Sequence, residues 1–212
     1  MPRKVVPPSN ELPYHITARA RNREDFPIPK QEVWGLMEDY LFFISTAYGI
    51  EILSFVLMDN HFHLLARDPH LNLSAAMNYL MKETSRYMSS KARIINQIYG
   101  GRYHRCLINH PHYLHHVYKY IYRNPLEAGL CHRAEDYPYS TLGLSLGKGR
   151  LHFPLYPDEI LFESIDQTLR WVNETPNSYD TEIIKQSLRK GVFDVATDRR
   201  TGRPRELLLN PY

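Results

Sequence analysis

The sequence predicts an α+β fold, an antiparallel sheet backed by helices in the ferredoxin-like split β-α-β-β-α-β order, with a C-terminal helical extension. Three observations lead there. Short β-branched runs alternate with long amphipathic helical stretches, the turn pair Asp59-Asn60 joins two runs as a hairpin, and Gly49, Gly100-Gly101 and Pro125 fall at the breaks. At 212 residues the chain suits one domain of ordinary size with an appendage. We divide it into a loose Pro-rich arm over residues 1–12, a main domain over 13–145 and a helical extension with a basic tail over 146–212.

The first strand is expected over residues 14–19. After it Arg19, Arg21 and Arg23 fall two apart, so an extended backbone would put all three on one side, to meet phosphates or simply solvent. From Lys30 to about Tyr48, Val33, Met37, Tyr40, Leu41 and Ile44 keep helical spacing, and Gly49 suits the left-handed helix end. Residues 50–57 and 61–67 form the hairpin strands. Asn72 or Ser74 can cap the next helix, which turns Leu73, Met77, Leu80, Thr84, Tyr87 and Met88 inward and shows Asn78, Lys82, Ser85, Arg86 and Ser89 on another, basic face. Residues 102–109 can form a further strand, and Pro111 opens a helix that Pro125 interrupts near Asn124. Residues 134–149, aromatic and turn-rich, are expected on the sheet edge, and 158–174 and 180–190 as amphipathic helices. The tail around Arg203 and Arg205 can lie in a nucleic-acid groove or stay disordered.

Composition narrows the class. Cys106 and Cys131 show neither metal-binding nor disulfide spacing, which suits free thiols in a reducing cytoplasm. No apolar run approaches the roughly 20 residues of a membrane span, and Met1-Pro2-Arg3-Lys4 leads into Pro7-Pro8 and not into an apolar signal core. A cytoplasmic location is expected. Net charge +3 and pI near 8.8 suit a polyanionic partner without requiring one.

The chemistry centres on Asn60-His61-Phe62-His63. On a strand His61 and His63 share a face while Phe62 takes the other, so two imidazoles converge as paired metal ligands would. Spacing alone also allows ordinary surface histidines. A third partner is available on the helix from Pro111, where Leu114, Val117 and Ile121 form the apolar stripe and Tyr113, His116, Tyr120 and Asn124 a neighbouring face. A tyrosine beside a metal can attack a phosphodiester, and nitrogen and oxygen ligands with open positions suit Mg²⁺ or Mn²⁺. Among Tyr113, Tyr118, Tyr120 and Tyr122, composition does not choose. His116 could aid proton transfer or meet a phosphate.

Three runs carry a resemblance: Met58-Asp59-Asn60-His61-Phe62-His63-Leu64-Leu65, then residues 120–130 with Asn124-Pro125, then Asp136-Tyr137-Pro138-Tyr139-Ser140-Thr141. Together they resemble the REP-associated tyrosine transposases of the HUH superfamily, over residues 12–145. The resemblance implies Tyr120 as nucleophile, four residues before the Asn of the Asn-Pro pair, and His61, His63 and Asn124 as ligands of Mg²⁺ or Mn²⁺. It implies a single-stranded DNA substrate with palindromic hairpins, nicked through a 5′-phosphotyrosine and rejoined without ATP, by a monomer or homodimer. Lys82, Arg86, Arg19, Arg21, Arg23, Arg203, Arg205 and His116 are candidate DNA contacts. The alternative is a domesticated binder of nucleic-acid hairpins without catalysis.

Overall fold

Alternation along the strands gives one sheet two chemically distinct faces, and the helices sort between them. The computed structural model describes residues 6–156 and 164–195. In it β1 (Tyr14–Arg19), β2 (Glu51–Leu57), β3 (His61–Arg67) and β4 (His104–Leu107) form an antiparallel sheet in the order β2-β3-β1-β4. This is the order of a split β-α-β-β-α-β unit, with β1 and β3 central. The last strand is shorter than the expected 102–109, because its ladder with β1 runs over only four residues, with a single parallel bridge from Leu107 to Val192 on its other side.

Tyr14, Ile16 and Ala18 of β1 and Phe62, Leu64 and Ala66 of β3 point to one side, where α1 (Lys30–Tyr48) and α2 (Leu73–Ala92) bury Met37, Leu41, Ile44, Met77 and Leu80 on them. Each fully buried side chain of this size contributes about 1.5–3 kcal/mol. The opposite face belongs to α3 (Pro111–Glu127), whose Leu114, Val117 and Ile121 pack on Leu53, Val56, Leu65 and Cys106. Helices therefore back both faces, and the odd-numbered residues His15, Thr17, Arg19, His61 and His63 share the α3 side.

The helix ends follow local chemistry. Gly49 closes α1 at φ 70, its N–H returning to the Ile44 carbonyl. At the start of α2 neither Asn72 nor Ser74 acts as a side-chain cap. The buried Asp68 carboxylate takes that role, accepting from the N–H groups of Asn72 at 2.7 Å and Leu73 at 2.9 Å. Tyr87, expected inward, is 41% exposed, and its hydroxyl donates to Glu32 Oε1 at 3.0 Å. Nor does α3 stop at Asn124. Pro125 lies inside it, since proline's φ is compatible with a helix and only one hydrogen bond is forfeited so near the end.

Residues 139–141 run along the free edge of β2, where the Tyr139 carbonyl accepts from Leu57 N–H at 2.9 Å and Thr141 Oγ1 from Phe55 N–H at 3.0 Å. Beyond α4 (Thr141–Ser145), the helices α5 (Ile165–Asn173) and α6 (Ser178–Leu188) add Trp171, Val172, Ile184 and Leu188 to the α3 core. The expected helix over 158–174 is described only from its α5 portion. Arg123 of α3 donates from Nη1 to the carbonyls of Val172 at 2.9 Å and Glu174 at 3.0 Å, which ties the extension to this helix. Cys106 is buried, its thiol pushed up to about 12 by burial, and both it and Cys131 are free. Among the described residues no helix is long and apolar enough to cross a membrane.

Candidate active site

The site forms where α3 crosses the polar side of β1 and β3. His61 and His63 stand side by side on β3 with ring centroids 5.0 Å apart. The Tyr120 ring meets His63 edge-on at 5.7 Å, so both halves of the expected site come together within one chain. Helical spacing puts Asn124 one turn beyond Tyr120, and its amide Nδ2 donates to the Tyr120 carbonyl at 2.6 Å. That bond commits the amide nitrogen and leaves the amide oxygen as the atom that could ligate a metal.

Of the four tyrosines on this helix, Tyr118 and Tyr122 are buried at 1% exposure in the core. Tyr113 packs on Phe193 at 5.0 Å. Tyr120 alone among these four has its ring against His63. Burial, helped by the Glu127 carboxylate, raises the Tyr120 phenol above its ordinary value of 10, while the Asn124 amide, Arg19 and Arg189 pull the other way. The phenol thus stays protonated at neutral pH.

Both histidines are held neutral. Burial, then the Arg19 charge, lowers His61 to about 4, and burial with neighbouring His15, His61 and Arg19 takes His63 well below 6.5. Neutral imidazoles keep their lone pairs for a metal. His63 Nε2 is buried and makes no hydrogen bond among the described residues, while the Asn124 amide lies near enough to the ring to favour its protonated form against the burial. Two imidazole nitrogens and one amide oxygen therefore fit a divalent cation with open positions, and could hold Mg²⁺ or Mn²⁺. Among the described residues no group of three His, Cys, Asp or Glu side chains is arranged for a metal, so this set depends on the Asn124 oxygen.

Sequence reading passed over His15. It lies opposite Leu65 on β1, 3% exposed, with Nε2 at 2.9 Å from His63 Nδ1 and its ring stacked on His63 at 5.1 Å. The signal was its period-2 relation to Arg19, which put both on the histidine face.

The other candidates scatter. Arg19, Arg21 and Arg23 are exposed, but β1 ends at Arg19 and residues 21–23 close a 3₁₀ turn with Asn22 and Arg23 at φ 57 and 62. The extended row of three arginines does not form. Lys82 and Arg86 are exposed beside Glu83, on α2, which packs on the sheet face opposite the histidines and so does not flank them. His116, expected at a phosphate or in proton transfer, is fully buried, with its ring 6.4 Å from Trp171 of α5, which removes it from solvent and so from a phosphate, although it lines the same small cavity as Tyr120. Arg203 and Arg205 lie outside the described residues.

A small cavity beside Tyr120, with room for about one water, is lined in part by Lys119, Arg123 and Glu127. Burial lowers the Lys119 amine to about 8.

Comparison with known proteins bears on the family and the fold. Residues 9–124 match the family model described as "Transposase IS200 like". The fold is similar to that of a REP-associated tyrosine transposase solved bound to a REP hairpin, with TM-score 0.58 and 18% identity over 73% of this chain and 92% of that one. A protein of Deinococcus radiodurans R1 described as a candidate transposase aligns with TM-score 0.38 and 22% identity, over 52% of this chain and 88% of that one. No curated protein gives a significant match.

Proposed function

Because the chain belongs to the IS200-like transposases, we propose that it nicks and rejoins single-stranded DNA beside palindromic hairpins, with Tyr120 as nucleophile and His61, His63 and Asn124 as ligands of Mg²⁺ or Mn²⁺. The observation that carries the reading is the Tyr120 ring set edge-on against His63, one helical turn from Asn124, in a single chain. A hairpin-bound structure of similar fold supports hairpin DNA as the substrate class. Residues 13–145 form the catalytic domain in this reading, and 146–212 an extension whose α5 and α6 brace the tyrosine helix.

In the nicking step the Tyr120 oxygen forms a bond to phosphorus and the bond to the 3′-oxygen breaks. The phenol gives up its proton, the departing 3′-oxygen gains one, and the strand's 5′ side is left as a phosphotyrosine. A metal here supplies charge withdrawal from the phosphate oxygens. The protein's own part is orientation: β3 fixes the two imidazoles on one face, α3 sets the phenol over them, and burial keeps both rings neutral. The new ester conserves the phosphodiester's energy, so attack by another 3′-hydroxyl rejoins strands without ATP.

The test is incubation with a labelled single-stranded hairpin and Mn²⁺, followed by a denaturing gel. The wild type is expected to give a slow, protease-sensitive covalent band. Tyr120→Phe is expected to lose the band and retain hairpin binding. An adduct that persists in Tyr120→Phe refutes the nucleophile, and binding with no adduct from the wild type leaves a non-catalytic hairpin binder.

A further inference from the structure

The two histidines of the site are anchored alike, although one anchor comes from the turn before β3 and the other from β1. His61 Nδ1 lies 2.8 Å from Asn60 Oδ1, and the same amide donates through Nδ2 to the Arg23 carbonyl at 2.8 Å. With its nitrogen turned to a carbonyl, the amide must offer its oxygen to His61, so His61 carries its proton on Nδ1. The lone pair is left on Nε2. At His63 the equivalent Nδ1 meets no amide. It meets His15 Nε2, at 2.9 Å between two buried rings.

Two neutral imidazoles joined nitrogen to nitrogen share one proton, and only one sense of sharing matches His61. If His15 donates, His63 holds its own proton on Nε2 and offers no lone pair there. If His63 donates, Nε2 is bare and His15 carries its own proton on Nδ1; both of these outer nitrogens are buried and without a hydrogen bond among the described residues, so it is the metal's need for the Nε2 lone pair that selects this sense. A histidine that binds metal through one nitrogen needs the other tied to an acceptor, since that bond sets both tautomer and ring angle.

We propose that His15 is a positioning residue: its Nε2 accepts the Nδ1–H of His63 and so presents the Nε2 lone pair of His63 to the divalent cation, as Asn60 does for His61. The inference rests on the metal reading above. Strand register makes it possible, because His15 and Thr17 face Leu65 and His63 across the β1–β3 pair, and the His15 ring leans along the strand to reach its diagonal neighbour. The His15 ring also stands edge-on to the Tyr120 ring at 6.2 Å, and its role in this arrangement is exerted through His63 and not on the cation.

The test separates the tautomer from the metal. Long-range proton–nitrogen spectra of the ¹⁵N-labelled full chain without metal, with His63 assigned by comparison with His63→Gln, read which nitrogen is protonated. The wild type is expected to show Nδ1–H. His15→Leu is expected to lose this preference, and His15→Gln, whose amide oxygen can take the place of Nε2, to keep it. In Mn²⁺ titrations followed by the electron paramagnetic resonance of the free ion, His15→Leu is expected to bind about 10- to 100-fold more weakly, with His15→Gln within about threefold of wild type. Melting curves confirm that each variant is folded. A wild-type His63 protonated on Nε2, or a folded His15→Leu that binds Mn²⁺ as tightly as wild type, overturns the proposal. An Nδ1-protonated His63 in a wild type that binds no Mn²⁺ overturns the metal reading instead and supports the hydrogen bond assigned to His15.

Discussion

Lys119 carries its amine into the interface between α3 and α5, where the residue is 3% exposed and Nζ has no hydrogen bond among the described residues. The groups that face it are the Trp171 ring at 5.1 Å, the charges of Glu174 and Arg123, and Glu127 across the small cavity. Burial takes it from 10.5 to about 8, a gap that corresponds to about 3 kcal/mol if fully expressed. The cavity admits water and the indole face returns some attraction, so we take about 1–2 kcal/mol as the net cost. Below pH 8 the amine is protonated in both folded and unfolded chains, and the whole penalty applies. Between pH 8 and 10.5 the unfolded chain binds more protons, so stability rises with pH through this window and the penalty fades. Lys119→Met, unbranched and similar in reach, should therefore stabilise the protein at pH 7, raising Tm by about 2–6 °C. The gain over wild type should shrink toward pH 10. Paired urea and thermal unfolding of both proteins at the two pH values reads this. A gain of equal size at both, or a loss at pH 7, refutes the argument that desolvation of this amine is the cost.

The remaining predictions concern the brace and the DNA. Arg123→Ala removes two charged hydrogen bonds to the Val172 and Glu174 carbonyls and should lower the unfolding free energy by about 2–4 kcal/mol in urea titration. Chelation of divalent metal should abolish the covalent adduct while a native gel still shows the hairpin complex. Replacing Arg19, Arg21 and Arg23 together by Ala should weaken hairpin binding uniformly across hairpin sequences. It should also flatten the dependence of log affinity on log salt by about 2, as three lost phosphate contacts to a single strand would.

Much of the fold was legible because its signals are local. The two-residue alternation of β3 put His61 and His63 on one side whatever packed against it, the 3.6-residue stripe of α1 required a buried face, and Gly49 marks the helix end that the structure closes at φ 70. Where reading failed, a non-local partner decided. Two opposed faces of one strand are both apolar enough to be covered, so periodicity did not say that α3 would take the histidine side and α2 the other. His116 and Lys119 look like surface residues until α5, some fifty positions later, closes over them. Asp68 displaced Asn72 as a cap because the chain folds back on itself there, and the left-handed turn at Asn22 and Arg23 broke the arginine row.

The sequence by itself determined the elements, their order and the pairing of two imidazoles, since backbone geometry alone dictates which side chains share a face. It also carried, through its resemblance, the proposed nucleophile. Only the tertiary structure brought Tyr120 against His63 while turning Tyr118 and Tyr122 into the core, because four tyrosines on one helix differ only in what each turn meets. It alone placed His15 at 2.9 Å from His63. That contact joins residues 48 positions apart through the register of β1 on β3, and register is set by the burial of Phe62, Leu64, Ile16 and Ala18 on the far side of the sheet.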